Sequence, residues 1–450
     1  MAHFDVSGLQ DAQDGLAQDG IDVVRLGYAD IIGVDRGRDV LVNRFARTAG
    51  SGLAFCRSVY GTTPRGDVVD IEGGLSDGLP DIVAFPDLAT MRPVPWEPGV
   101  AHCIADLYNP DGTPSEESPR HVLRRVCERF AELGLSPVVG PELEFYVLER
   151  SAESPSGWKR YGEGTGNVYT SGLKGDPHNV LLESLRLLGD YGIEVVAANH
   201  EFASGQFEIN LWHGDALDAA DRAHRFKSGV KELARRQGRL ATFMPKPFND
   251  EGGSGYHLHF STLDADARPA FDDPDGAHGL SDLARHAIAG VLEHAPVLAA
   301  VSNPTINSYK RFGPDTLAPW LIDWGLDNRS AMIRIPPERG SATRLELRLG
   351  DSSANSYLAI AGLLAAALLG IRRGKEPEDP LVGYGYDPSR SPRLPRSLDA
   401  ALDALEADAE FADLLGPRFV AAFLAYKRNE IERFNSWITD WEFHEYTYHI

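Results

Sequence analysis

The 450-residue sequence predicts an α+β protein of two domains, residues 1–112 and 113–450. Three observations predict it. The chain up to about residue 109 mixes short β-rich runs with turns. From residue 119 onward, helical stretches alternate with short strand patterns. Four segments then alternate strictly between apolar residues and residues that bind metals or anions: Glu142-Leu143-Glu144-Phe145, Gln206-Phe207-Glu208-Ile209, His257-Leu258-His259-Phe260 and Arg344-Leu345-Glu346-Leu347-Arg348. Residues two apart on a strand share a face. Each segment therefore puts its charged groups on one side and Leu, Phe or Ile on the other. Carboxylates gathered this closely repel one another unless cations neutralise them. The pattern predicts a sheet with one face charged and metal-holding and the other against a core.

In chain order, strands are predicted at 21–26, 39–42 and 100–107, and a turn-rich break, Asn109-Pro110-Asp111-Gly112-Thr113-Pro114, marks the domain boundary. An amphipathic helix follows over 119–133, with Val122, Leu123, Val126, Phe130 and Leu133 on one face. Helices are predicted over 179–188, 217–240, 280–300 and 353–373, with the motif strands between them. The Gly- and Ser-rich stretch 151–175 reads as a flap, and the Pro/Gly-rich stretch 377–395 as a surface loop. From 398 onward the chain reads as helical, with an aromatic tail.

Composition narrows the partners. A net charge of -22 argues against nucleic acid or an anionic membrane, which call for clustered Lys and Arg. The first residues, Met1-Ala2-His3-Phe4-Asp5, show no basic region leading into an apolar run, so no signal peptide is read. The longest apolar stretch, 357–371, is shorter than the ~18 residues of a membrane span and reads as a buried helix. Cys56, Cys103 and Cys127 make neither a disulfide framework nor a metal site, and a cytoplasmic location is expected.

Glutamate oxygens are hard ligands that suit Mg²⁺ or Mn²⁺. Glu142, Glu144, Glu201, Glu208 and Glu346, joined by His257, fit two or three octahedral cations. Zinc would draw on more His or Cys. Arg311, Arg329, Arg334, Arg344 and Arg348 fall in or beside the same segments, and guanidinium forks match phosphates and carboxylates. Several metals with several arginines suggest phosphoryl transfer, and neither a P-loop nor a GxGxxG motif is present. Taken alone, a Glu-x-Glu strand is a solvated edge, a His-x-His pair a surface feature, and an Arg/Glu alternation a salt-bridge ladder. Four such strands together leave little room for accident.

With these residues in view, the chain resembles a glutamine synthetase of the bacterial type across nearly its full length. The resemblance is carried by Gly140-Pro141-Glu142-Leu143-Glu144-Phe145, by the run from His200 to Ile209, by Gly253-Ser254-Gly255-Tyr256-His257-Leu258-His259-Phe260-Ser261, by the run from Asn303 to Arg311, by the run from Asn328 to Pro336, and by Arg344 to Arg348. It implies a β-grasp N-terminal domain and a catalytic domain with a curved antiparallel sheet. It also implies a ring assembly, usually a dodecamer of two hexameric rings, with the active site between neighbouring subunits. ATP would phosphorylate the glutamate side chain, and a nitrogen nucleophile would displace phosphate. Glu144, Glu201 and Glu208 then match the ligands of one metal, and Glu142, His257 and Glu346 those of a second. Arg311, Arg348 and the Gly253 backbone match the glutamate site. His259 and Ser261 would lie against the nucleotide. Arg329, Arg334 and Arg344 would reach its phosphates or the transferring group, which makes Arg311, Arg329 and Arg344 the expected catalytic positions.

Two departures concern the nucleophile. The family's ammonium site uses an Asp in an N-terminal F-D-G-S-S-type loop and a Glu in a G-[YF]-E-A-P motif. Cys56 stands at the first position and Leu317 at the second, so these two line the expected amine pocket. Gly252 also replaces an Asn before the Gly-Ser-Gly turn. The expected activity is ATP-dependent joining of glutamate to an organic amine, with ethanolamine or another alkylamine favoured. The alternatives are plain glutamine synthesis from ammonia and, in another class, a non-catalytic ring-forming or nitrogen-sensing relative.

Overall fold

The computed structural model describes residues 8–162, 164, 168–448 and 450. The N-terminal Met1-to-Asp5 stretch, and residues 163 and 165–167 of the expected flap, lie outside the described residues.

The first sheet is built from β1 (Val23–Ala29), β2 (Asp35–Leu41), β3 (Leu53–Cys56), β4 (Asp81–Pro86), β5 (Arg92–Pro93) and β6 (Val100–Tyr108). Its order is β2-β1-β6-β4-β3, with β5 on β6. The β1–β6 pair is parallel and the β1–β2, β4–β6 and β3–β4 pairs are antiparallel. Helices α1 (Leu9–Gln18) and α2 (Val42–Gly50) bury Leu9, Leu16, Val42, Phe45 and Ala49. This mixed, helix-backed sheet occupies the stretch where a β-grasp domain is expected. The strand expected over 39–42 starts earlier and ends at Leu41, because Val42 turns inward as the first residue of α2.

The second sheet holds β7 (Ser136–Arg150), β8 (Trp158–Arg160), β9 (Val195–His200), β10 (Gln206–Leu211), β11 (Gly214–Asp215), β12 (Leu240–Thr242), β13 (Tyr256–Leu263), β14 (Trp324–Leu326), β15 (Ile333–Ile335) and β16 (Leu345–Leu347). Its main path runs β14-β15-β16-β13-β7-β10-β9, antiparallel except for β14–β15. The alternation does what the sequence requires. Leu143, Phe145, Phe207, Ile209, Leu258, Phe260, Leu345 and Leu347 are all buried on one face. Helices α3 (Pro119–Ala131), α4 (Val180–Asp190) and α5 (Ala216–Arg236) supply much of the opposing layer, with Phe226 of α5 edge-on to Phe145 and Phe130 of α3 edge-on to Phe260.

Six further helices follow α5 before the end of the chain's main helical region: α6 (Asp282–Glu293), α7 (Ala295–Ser302), α8 (Ser356–Arg373), α9 (Leu398–Ala407), α10 (Ala409–Leu415) and α11 (Pro417–Asn435); α12 (Asp440–Tyr446) closes the series. The helix expected over 280–300 is two helices. They break at His294, whose Nδ1 pairs with Asp408 at 2.6 Å, and Pro296 in the first turn of α7 cannot donate back into α6. The helix expected over 217–240 stops at Arg236. Gly238, at φ 72°, turns the chain so that Leu240 opens β12 instead. Helix α8 is long and apolar enough to span a membrane by length and composition, but 83% of that window is buried inside the protein, so it is a core helix. All three cysteines are free thiols.

One buried cation ties the two sheets together. Arg120, on α3, donates to Asp221 of α5 at 2.8 and 3.0 Å, to Asp106 of β6 at 2.7 Å and to Asp87 at 2.8 Å. The Tyr357 hydroxyl on α8 donates to the same Asp221 at 2.7 Å. Burial alone would favour loss of the Arg120 proton, but the Asp221 and Asp106 charges overcome it and hold the group cationic. Arg120→Met would leave buried carboxylates uncompensated and should destabilise the fold by about 3–5 kcal/mol in chemical denaturation. A loss under about 1 kcal/mol would show that this hub does not hold the domains.

Candidate active site

The charged face of the second sheet is assembled by register. Across β10, β7, β13 and β16, Glu208 stands opposite Glu144, Asn210 opposite Glu142, Glu142 opposite His257, and His259 opposite Glu346. Arg334 on β15 stands opposite Glu346. Directly opposed residues of an antiparallel pair share a face at ~4.5–5.5 Å between Cα atoms. A strand slip of one residue would send every one of these groups into the core.

All of these residues except His259 line a cavity of about 960 Å³. Among the residues expected from sequence, Glu142, Glu144, Glu201, Glu208, His257, Glu346, Gly253, Arg311, Arg329, Arg334, Arg348 and Leu317 line it. His259 and Arg344 are not among its lining residues: His259 Nε2 meets Glu142 Oε1 at 2.9 Å, and Arg344 Nε donates to His259 Nδ1 at 3.2 Å. Ser261 lies two residues further along β13, opposite Val138. Cys56 ends β3 in the other sheet, exposed, with its thiol 3.0 Å from the Ser58 hydroxyl. Within one chain, Cys56 and Leu317 are not brought together in this cavity.

The carboxylates fall into two electrostatic groups. Glu346 is 1% exposed, and its two oxygens accept from Arg334 and Arg348 at 2.6 Å each. Burial pushes its carboxyl up, but Arg348, His257 and His259 outweigh burial and bring it down to about 2. Burial likewise opposes ionisation of Glu142, and hydrogen bonds from His257 and His259 reverse that and hold it well below the usual range. In the other group positive charge is outweighed, with only the Arg329 charge opposing the rise at Glu201. Burial, with the charges of Glu142, Glu144 and Glu201, pushes Glu208 up to about 9. Burial and the Glu144 charge push Glu201 up to about 7.

That imbalance, together with the donor chemistry, fits hard divalent cations. Candidate ligand atoms of Glu142, Glu208 and His257 lie within 4.8 Å of one another, as do those of Glu142, His259 and Glu346. The expected grouping of Glu144, Glu201 and Glu208 is looser among the described residues, because each is drawn to its own amide donor. Glu144 accepts from Gln206 Nε2 at 3.0 Å and the Gly255 N–H at 2.9 Å; Glu201 accepts from Asn199 at 2.7 Å and Glu208 from Asn210 at 3.1 Å. The alternation that picked out Glu208 also places Gln206 and Asn210 on its face. As neutral amides they carry no charge that would single them out in the sequence. Lys246 and Asp315 also line the cavity, from loops that carry no periodic signal.

Arg311 and Arg348 border the sheet cluster, Arg348 through its bond to Glu346 and Arg311 through the Glu144 charge. Arg311 and Arg348 are each 5% exposed. Burial makes the charged form of Arg311 harder to keep, and the Arg348 charge adds to that. Arg348 Nε is buried without a hydrogen-bond partner. A carboxylate between them would satisfy both. Two glycines make room. A Cβ on Gly253 would come within 2.7 Å of Arg311 Cγ and of the Pro245 carbonyl, and one on Gly255 within 3.0 Å of Arg311, Glu144 and His257.

Residues 116–446 match the glutamine synthetase catalytic-domain family. The chain is 36% identical to the glutamine synthetase of Thermotoga maritima, an alignment covering 96% of this chain and 98% of that one. It is 35% identical to the glutamate--isopropylamine ligase of a Pseudomonas species, covering 96% of each. The structure of the GmaS/ADP complex superposes with a TM-score of 0.85 at 34% identity, over 97% of this chain and 99% of the other.

The pH dependence of stability reports on the cluster. Glu201 and Glu208 keep protons in the folded state at pH values where an unfolded chain, with ordinary values near 4.5, has released them. Their contribution to stability without divalent cations is therefore full below about pH 4.5 and is lost as pH rises through about 7 and then 9. Mg²⁺ or Mn²⁺ should raise the Tm by an increment that grows over the same range, and Glu208→Gln should flatten that growth. An increment that does not change with pH would place the cations elsewhere.

Proposed function

The chain belongs to the glutamine synthetase family of C–N bond-forming ligases, and from that premise we propose that it joins glutamate to an organic amine, with a small alkylamine or ethanolamine as nucleophile. One observation carries the choice of nucleophile. Leu317 is 49% exposed on the wall of the cavity that also holds Arg311, Arg348 and the glutamate cluster. At the position where the family's motif has a Glu, the wall presents an apolar side chain that can hold the alkyl part of an amine, a contact that ammonium cannot make. Similarity to a glutamate--isopropylamine ligase and to GmaS supports the same reading.

In this reading Arg311 and Arg348 clamp the α-carboxylate of glutamate beside the Gly253 backbone. Arg329, Arg334 and Arg344 neutralise the ATP phosphates, Arg344 through its reach past His259, and Ser261 borders the nucleotide. Glu144, Glu201 and Glu208, and Glu142, His257 and Glu346, would hold two or three Mg²⁺ or Mn²⁺. Bound there, the cations supply charge neutralisation for phosphoryl transfer. The glutamate γ-carboxylate takes the terminal phosphoryl group of ATP, and the amine then displaces phosphate to leave a γ-glutamyl amide. In a ring assembly, Cys56 would come to this cavity from a neighbouring subunit.

The test is ATP turnover with glutamate against a panel of amines and ammonia. The reading expects kcat/KM for the best alkylamine to exceed that for ammonia at least tenfold, and Leu317→Glu to move the ratio toward ammonia by about tenfold or more. Ammonia as the best substrate of the unmodified enzyme would make it a glutamine synthetase proper. Arg348→Ala should raise the KM for glutamate by about 100-fold while leaving that for ATP within a few-fold.

A further inference from the structure

The proposed nucleophile is an ammonium ion at neutral pH and cannot attack until it loses a proton. Most carboxylates of the cavity are committed elsewhere. Glu142, Glu144, Glu201 and Glu208 crowd the sheet face, Glu346 carries two arginines, and Glu251 is ion-paired with Arg160. Asp315 is different. It lines the cavity from the loop that also bears Leu317, and it accepts a hydrogen bond from the Tyr384 hydroxyl. A neutral phenol aims a carboxylate without cancelling its charge.

The loop is built for this placement at some cost. Asp315 has φ 62° and Leu317 φ 58°, two left-handed residues within three positions, and the conformation is unfavourable for Leu. Such strain persists where the surroundings over-determine it. Here the Thr316 hydroxyl donates to the Gly313 carbonyl at 2.8 Å, and Tyr384 anchors the tip from the 377–395 loop. Tyr384 packs on Tyr386, with ring centroids 4.7 Å apart, and Tyr386 is 6% exposed. The groups that face Asp315 are therefore these two phenols, with the guanidinium groups of Arg311 and Arg348 beyond Tyr386. The hydrogen bond to Asp315 pushes the Tyr384 hydroxyl up to about 12, so it remains a donor throughout the neutral range.

Building on the glutamate–amine reading, we propose that Asp315 is the catalytic base for the nucleophile, and that Tyr384 is its positioning residue. The ammonium R–NH₃⁺ gives one proton to the Asp315 carboxylate. The freed nitrogen lone pair forms the C–N bond at the γ-carbonyl carbon, the C–O bond to phosphate breaks, and the second proton leaves on the departing phosphate. Leu317, two residues on, holds the alkyl group while Asp315 takes the proton, so one loop performs both tasks.

The experiment compares ethylamine with hydroxylamine, which is neutral at pH 7 and needs no base before attack. Asn tolerates a left-handed backbone, so Asp315→Asn keeps the loop. Asp315→Asn should lower kcat/KM for ethylamine by about 100-fold or more at pH 7, and that for hydroxylamine by less than about tenfold. Its ethylamine rate should climb steeply with pH as free amine accumulates, where the unmodified enzyme shows a shallower rise. Tyr384→Phe should cut the ethylamine rate by about tenfold and spare hydroxylamine. Equal losses with both nucleophiles, or no loss with either, would overturn the assignment. If the unmodified enzyme favoured ammonia and Asp315→Asn spared only hydroxylamine, the amine reading would fail and the role of Asp315 would stand.

Discussion

The repulsion among carboxylates on one face of the second sheet is the constraint from which the rest of the site follows. Register places Glu142, Glu144 and Glu208 on adjacent strands, and Glu201 approaches from the turn before β10. Hydrophobic burial of Phe145, Phe207 and Leu258 on the reverse face holds that register, so the acidic groups cannot separate without unpacking the core. Where arginine or histidine is at hand, as at Glu346 and Glu142, the charge is retained. Where burial and neighbouring carboxylates outweigh the positive charge at hand, as at Glu201 and Glu208, the carboxyl group holds its proton into neutral or basic pH. The face is acidic, pre-organised and short of positive charge, which is the condition under which hard cations bind and draw phosphates after them.

The anion-binding half and the nucleophile half are built on different material. Arg334 and Arg348 border the central strands and take their positions from the sheet. Asp315 and Leu317 sit on a strained loop whose geometry depends on a tyrosine 69 residues away in sequence. Such a division lets a family keep its phosphoryl-transfer chemistry while the loop changes the amine, because loop substitutions do not disturb the register.

The same division explains what could be read from sequence. Period-two alternation identified the four motif strands and the face each charged residue shares, since pleat geometry leaves no other choice. The amphipathic helix at 119–131 was legible for the corresponding reason, a 3.6-residue apolar stripe. Other features have no local signature. The break at His294 depends on Asp408, and the end of α5 on a left-handed Gly238. The Arg120 hub gathers partners from four separated segments. Leu317 and Cys56 stood out only against a family pattern, and a single chain brings only the first of them to the cavity. Asp315 acquires its meaning from Tyr384, a contact that no spacing rule foretells.

Anomalous diffraction from crystals soaked in Mn²⁺ and an ATP analogue tests the central idea most directly. Strong manganese peaks are expected within coordination distance of the Glu142, Glu208 and His257 side chains, with phosphate oxygens on their open side. Peaks confined to other acidic surfaces, with this sheet face bare, would contradict it.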